Sequence, residues 1–128
     1  MNLLITEDAP LHRAFLKTAV ENALPECDQL YEAENGAAAV EIVKSETIDG
    51  IFMDLQMPKS NGVDAAKEIW RCFPEMRILF WSNYADEAYV RGVARIVPSG
   101  AVYGYLLKSA SEERLAFAAR GIFVQDQC

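Results

Sequence analysis

Residues 48–62 read IDGIFMDLQMPKSNG, and the rest of the chain can be organised around this stretch. Ile51, Phe52 and Met53 form a short apolar run that ends at Asp54, with Pro58 close behind. Proline has no N–H to give to a sheet ladder, so the run reads as a buried strand that stops near Asp54. The carboxylate then stands at the strand's carboxyl end, the edge where open α/β sheets bind ligands. An Asp shortly before a Pro is also a common turn residue, so the stretch needs support from the other strands.

That support comes from the alternation along the chain. Asn2–Thr6 is an apolar run that closes in Glu7-Asp8 and reads as a first strand buried on both faces. Asp8 is placed to cap a helix with Pro10 in its first turn, and Leu11, Ala14, Phe15, Thr18 and Ala19 recur at helical spacing until Leu24-Pro25-Glu26. Gln29–Ala33 is a second strand, and Asn35-Gly36 opens a helix carrying Val40, Ile42 and Val43. After the Asp54 strand, Asn61-Gly62 opens a third helix lined by Val63, Ala66, Ile69, Trp70 and Phe73. Residues 77–81 (RILFW) form a fourth strand ending at Ser82, and alternation is expected to turn Trp81 away from Asp54. A fourth helix over residues 86–97 carries Val90, Val93, Ala94 and Val97 and breaks at Pro98-Ser99-Gly100. Residues 101–107 (AVYGYLL) form a fifth strand that ends at Lys108. Ser109 and Ser111 both offer N-caps for a last helix, Ser109 with Glu112 at capping-box spacing, and Arg120-Gly121 is expected to stop it.

Strands that alternate with helices in this way imply a parallel sheet, because each crossover must carry a helix. The expected fold is a doubly wound α/β domain of the flavodoxin-like kind, a five-stranded parallel sheet with helices on both faces. It spans residues 1–121, with 122–128 as a tail or the start of a linker. The 128 residues suffice for one domain with a full core. Nineteen acidic against twelve basic residues give a net charge of −7, which argues against direct nucleic-acid binding. Cys27, Cys72 and Cys128 form no CxxC pair and read as reduced thiols. No apolar run approaches the ~20 residues of a membrane helix and no signal-peptide pattern opens the chain, so a cytoplasmic location is expected.

The strand ends now gather one set of residues: Glu7 and Asp8, Asp54, Ser82 and Lys108. Three carboxylates in one cleft repel unless a cation compensates, and Mg²⁺ with its preference for oxygen ligands meets that need. Lys108 adds a point charge suited to a phosphoryl oxygen, and Ser82 a hydroxyl donor. Each residue alone has a plainer reading as a cap, a turn or a solvated charge. Their joint occurrence on four strand ends is what carries weight.

The segments ITEDAPLHRAFL, FMDLQMPKSNG, FWSN and GYLLKSAS, in this order, resemble the receiver domain of a two-component response regulator over nearly the whole chain. EDAPLHR and GYLLKSAS are most similar to regulators with a C-terminal helix-turn-helix DNA-binding domain, which points to transcription regulation. The resemblance implies that Asp54 takes a phosphoryl group from a histidine kinase or a phosphotransfer protein. It also implies that Asp8 and Asp54 ligate Mg²⁺ with the Gln56 backbone carbonyl, while Glu7 acts through water. Lys108 would hold a phosphoryl oxygen, Ser82 would move to hydrogen-bond the acyl phosphate, and Tyr105 would swing inward behind it. The face formed by the fourth helix, fifth strand and fifth helix would then meet an output domain or protein partner, or a second copy in a homodimer. The resemblance implies a phosphoacceptor signalling domain with self-catalysed aspartyl phosphorylation and dephosphorylation, not a conventional enzyme.

The chain departs from that pattern in three places. Asn83 follows Ser82 where a small residue is usual, the interval between Ser82 and Lys108 is longer by a piece resembling RIVPSG, and the last helix looks short. A phosphatase using Asp54 as nucleophile would want an acid/base carboxylate two residues on, where Gln56 stands. A folded module that never carries phosphate would have no use for intact Asp54, Asp8 and Lys108.

Overall fold

Successive side chains on a strand point to opposite faces, and this alternation divides the apolar residues between two cores. The computed structural model describes residues 1–57, 61–83 and 87–125. Strands β1 (Asn2–Thr6), β2 (Gln29–Ala33), β3 (Gly50–Asp54), β4 (Arg77–Ser82) and β5 (Tyr103–Leu107) pair in the order β2-β1-β3-β4-β5, all parallel. Between and after them run α1 (Pro10–Ala23), α2 (Gly36–Ser45), α3 (Gly62–Cys72), α4 (Glu87–Ile96) and α5 (Glu112–Phe123). Leu4, Ile51, Met53, Ile78 and Phe80 face α2, α3 and α4, where Ala39, Val43, Ala66, Ile69 and Val93 meet them. Leu3, Ile5, Phe52, Leu79 and Trp81 face α1 and α5, and pack with Leu16, Val20, Leu115 and Ala119. With helices on both faces, every central strand is buried, as β3 shows by burying all five of its residues.

The helix starts expected at Asn35 and Asn61 are real caps, accepting the N–H groups of Ala38 and Asp64 at 2.8 Å each. Other expectations shift. The α1 cap is Ala9 without a side-chain bond, so Asp8 does not cap it, and the Glu7 carboxylate accepts the Ala9 N–H instead. The α5 cap is Ser111, which accepts the Arg114 N–H, because Ser109 lies in the turn that follows β5. On α4 only Val93 is buried, while Val90 and Ala94 face outward. Ala101 and Val102 stay outside β5, since a Pro98–Ala101 hydrogen bond closes a turn with Gly100 at φ +80°. Pro58, Asp86 and the last three residues, Cys128 included, lie outside the described residues.

Arg120-Gly121 does not end the last helix, which continues to Phe123, and the expected tail therefore begins later than residue 122. A glycine costs ~1 kcal/mol in a helix interior, less than the burial it permits here. Ile122 and Phe123 are both buried, and the Phe123 ring lies 5.1 Å from that of Phe52. Gly50 makes room for it, because a Cβ there would collide with the Phe123 ring. Phe123→Ala should lower the urea-unfolding free energy by about 3–5 kcal/mol. A loss below about 1 kcal/mol would show that the end of α5 stands outside the cooperative core.

Candidate functional site

Each parallel strand ends at the same edge of the sheet, and the ladder runs one residue past the strands there. Glu7 donates its N–H to the Ala33 carbonyl, Leu55 to Trp81 and Lys108 to Ser82, the last at 2.7 Å. These bonds bring Glu7, Asp54, Ser82 and Lys108 to one cleft. Glu7 and Asp54 are fully buried, Ser82 nearly so, and Asp8 is half-buried at the mouth.

Among the described residues, one ammonium group joins the cluster. Lys108 Nζ lies 2.7 Å from Glu7 Oε1 and 3.2 Å from Asp54 Oδ2. Asp54 Oδ1 accepts the Gln56 N–H at 2.9 Å, an Asx turn that fixes the carboxylate just where the strand stops. Gly62 makes this turn possible, since a Cβ there would run into the Asp54 backbone carbonyl. Nothing in the sequence pattern singled out that glycine beyond its place at the start of α3.

The two buried carboxylates are not equivalent. Burial alone would raise the Glu7 pKa, but the Lys108 bond, the Ala9 N–H and a hydrogen bond with Asp54 together hold it well below the ordinary range. For Asp54 burial wins: desolvation and the Glu7 charge push its pKa up to about 7, against the Gln56 N–H and Lys108. Glu7 is thus the settled anion and Asp54 the strained one.

Carboxylate oxygens of Glu7, Asp8 and Asp54 all come within 4.8 Å of one another. This set of hard oxygen donors around an under-compensated anion fits Mg²⁺. The Gln56 side-chain Oε1, next to the expected carbonyl ligand, is buried and accepts no hydrogen bond among the described residues. Tyr105 is set apart from the cluster, 41% exposed and stacked on Phe80 at 5.8 Å.

Trp81 corrects an expectation. In the sheet register it is paired with Asp54, and so shares its face instead of pointing away. Its indole Nε1–H donates to Glu7 Oε1 at 2.9 Å. His12 and Arg13 were also missed: His12 Nδ1 lies 3.7 Å from Glu7 Oε1, and Arg13 donates to the Glu7 backbone carbonyl at 2.9 Å.

The shifted carboxylates set a pH dependence in metal-free protein. Asp54 keeps a proton in the folded state that the unfolded chain gives up from about pH 4, so its destabilising effect grows as pH rises to about 7. Asp54→Asn should therefore be more stable than wild type by on the order of 1–3 kcal/mol at pH 8. Near pH 4 the advantage should disappear. Glu7 has the opposite sign: its stabilisation is complete above its unfolded value of 4.5 and is lost as pH falls towards about 2. Chemical denaturation in EDTA across pH 2–8 checks both trends, and an advantage for Asp54→Asn that did not vary with pH would contradict the first of them.

The comparisons with known proteins agree with this geometry. Over 120 residues the chain is 33% identical to the transcriptional regulatory protein DegU of Brevibacillus brevis, covering 94% of this chain and 49% of that protein. It is 39% identical over 88 residues to the chemotaxis protein CheY of Thermotoga maritima, covering 69% of this chain and 72% of that one. A solved two-component response regulator of the LuxR family from Aurantimonas sp. SI85-9A1 shares the fold with a TM-score of 0.83 at 24% identity, covering 97% of this chain and 85% of that chain. The chain spans about half the length of several of the curated relatives it matches. Residues 3–120 match the response regulator receiver domain family, and the chain belongs to that family of two-component receivers.

Proposed function

We propose that Asp54 is the phosphoacceptor of this receiver, and that a histidine kinase or a phosphotransfer protein in the cytoplasm supplies the phosphoryl group. The observation that carries this reading is the single Lys108 ammonium shared between buried Glu7 and Asp54, with Asp8 alongside. An Asp54 carboxylate oxygen would form the new O–P bond while the donor's N–P bond breaks, and the freed imidazole would take up a proton. Lys108 already touches Asp54 and would hold a phosphoryl oxygen without large movement. Asp8, Asp54 and the Gln56 backbone carbonyl would hold Mg²⁺, with Glu7 behind them acting through water. Bound there, the ion supplies positive charge that offsets the approach of an anionic donor to three carboxylates. The same groups would support the self-catalysed dephosphorylation expected of such a domain.

The output follows from charge and space. A phosphoryl group adds about −1.5 to −2 charge and strong acceptors. Ser82 sits at the end of β4, positioned to be drawn to it. Phe80 and Tyr105 stack just behind, so Tyr105 would turn inward and reshape the α4–β5–α5 face. We take that face as the contact for an output domain, a protein partner or a second copy, in a protein that acts in transcription regulation. The receiver would run through α5, and the residues after it would be a tail or the start of a linker.

Two measurements test this reading. Incubation with acetyl phosphate and Mg²⁺ should add one phosphoryl mass, located at Asp54. The label should vanish with EDTA and in Asp54→Asn. Lys108→Ala should keep Mg²⁺ binding but uncouple phosphorylation from the switch. A full label without Mg²⁺, or one that persists in Asp54→Asn, would overturn the assignment. Separately, hydrogen exchange with beryllofluoride and Mg²⁺ should change across residues 87–119. Changes confined to the loops around Asp8 and Asp54 would remove the output face and leave the phosphoacceptor assignment standing.

A further inference from the structure

Lys108 has one charge and two claimants. In the unmodified protein it lies closer to Glu7, at 2.7 Å, than to Asp54, at 3.2 Å. On the phosphoacceptor reading, a phosphoryl group on Asp54 becomes a third and stronger claimant. Glu7 is fully buried, so when the ammonium leaves it can draw only on protein donors and on water held by the ion. A buried carboxylate that loses its partner is costly unless other donors remain. Two protein donors remain among the described residues: the Trp81 Nε1–H on Oε1 at 2.9 Å, and the Ala9 N–H on Oε2 at 3.0 Å.

The indole is held where it can do this. Trp81 is 1% exposed, with the Phe15 ring parallel to it at 6.4 Å and His12 edge-on at 6.1 Å. Its backbone is paired with Asp54 in the sheet, so the donor's position is tied to that of the phosphoacceptor. Lys108 Nζ lies 5.5 Å from the centre of its ring.

We propose that Trp81 is a positioning residue of this receiver: its indole N–H keeps the Glu7 carboxylate satisfied and in place while Lys108 shifts to the phosphoryl group on Asp54. A phenylalanine would fill much of the space and supply no donor. The N–H therefore favours the phosphorylated state over the unmodified one, in which Lys108 satisfies the same oxygen.

The test uses the full chain carrying Trp70→Phe, so that Trp81 is the only tryptophan. Two variants are compared with it: Trp81→Phe, and Trp81 replaced biosynthetically by benzothienylalanine, which has sulfur in place of the N–H in a ring of the same shape. ¹⁹F NMR of bound beryllofluoride at saturating Mg²⁺ gives the affinity for the phosphoryl mimic. Both variants should bind it about tenfold more weakly or worse, as expected for a lost hydrogen bond to a buried charge. Affinity for Mg²⁺ alone should change less than about twofold, because Lys108 then stays on Glu7. Near-parental beryllofluoride affinity in either variant would overturn the role. An equal loss of affinity for Mg²⁺ alone would overturn it too, since that marks a distorted site. Absence of beryllofluoride binding in the Trp70→Phe parent and in wild type would sink the phosphoacceptor reading itself, and this proposal with it.

Discussion

Among the described residues a single ammonium group compensates two buried carboxylates, and the rest of the site depends on that constraint. Lys108 is 7% exposed, and Glu7 and Asp54 are not exposed at all. Taking charges out of water costs several kcal/mol each, and the attraction between them returns this only with good geometry and filled hydrogen bonds. Glu7 has both, with Lys108, Trp81 and Ala9 on its two oxygens. Asp54 has less, a backbone N–H and a longer contact with the shared lysine. The imbalance leaves one carboxylate with unspent affinity for a cation or an electrophile. That trades stability for reactivity, as functional sites commonly do.

The scaffold's part is to keep this imbalance from relaxing. Five parallel strands deliver their ends to one edge, and ladder bonds beyond β1, β3 and β5 hold the site's backbone in sheet geometry. Gly62 allows α3 to start directly against the Asp54 carbonyl, which supports the turn that aims the carboxylate. Arg13 ties the start of α1 to the Glu7 backbone and meets Glu32 at the end of β2. On the proposed function, the link to the α4–β5–α5 face would run through β4, where Ser82 and Trp81 reach the site and Phe80 reaches Tyr105.

The sheet was legible because its strands are short apolar runs that stop at polar residues, and helix-period segments lie between them. The cluster was legible because parallel strands bring their carboxyl ends together whatever their separation in sequence. The partner of Glu7 was not. Whether Trp81 faces Asp54 depends on the β3–β4 register, and a shift of one residue reverses the answer. Strand alternation counted along β4 alone cannot supply that register. Gly121 misled for a different reason: helix propensity is a weak local term, and burial of Phe123 against Phe52 and Gly50 outweighs it. Ser109 and Ser111 are equally good caps by composition, and the turn after β5 decides between them.

The unequal charge states of Glu7 and Asp54 can be read directly from a carboxyl-resolved ¹³C NMR titration of metal-free protein with labelled Asp and Glu. Glu7 should stay ionised far below pH 4, and Asp54 should titrate near neutrality. Adding Mg²⁺ should bring the Asp54 transition down, because a bound cation favours the charged form. Ordinary titration of both groups near pH 4, unmoved by Mg²⁺, would contradict the account.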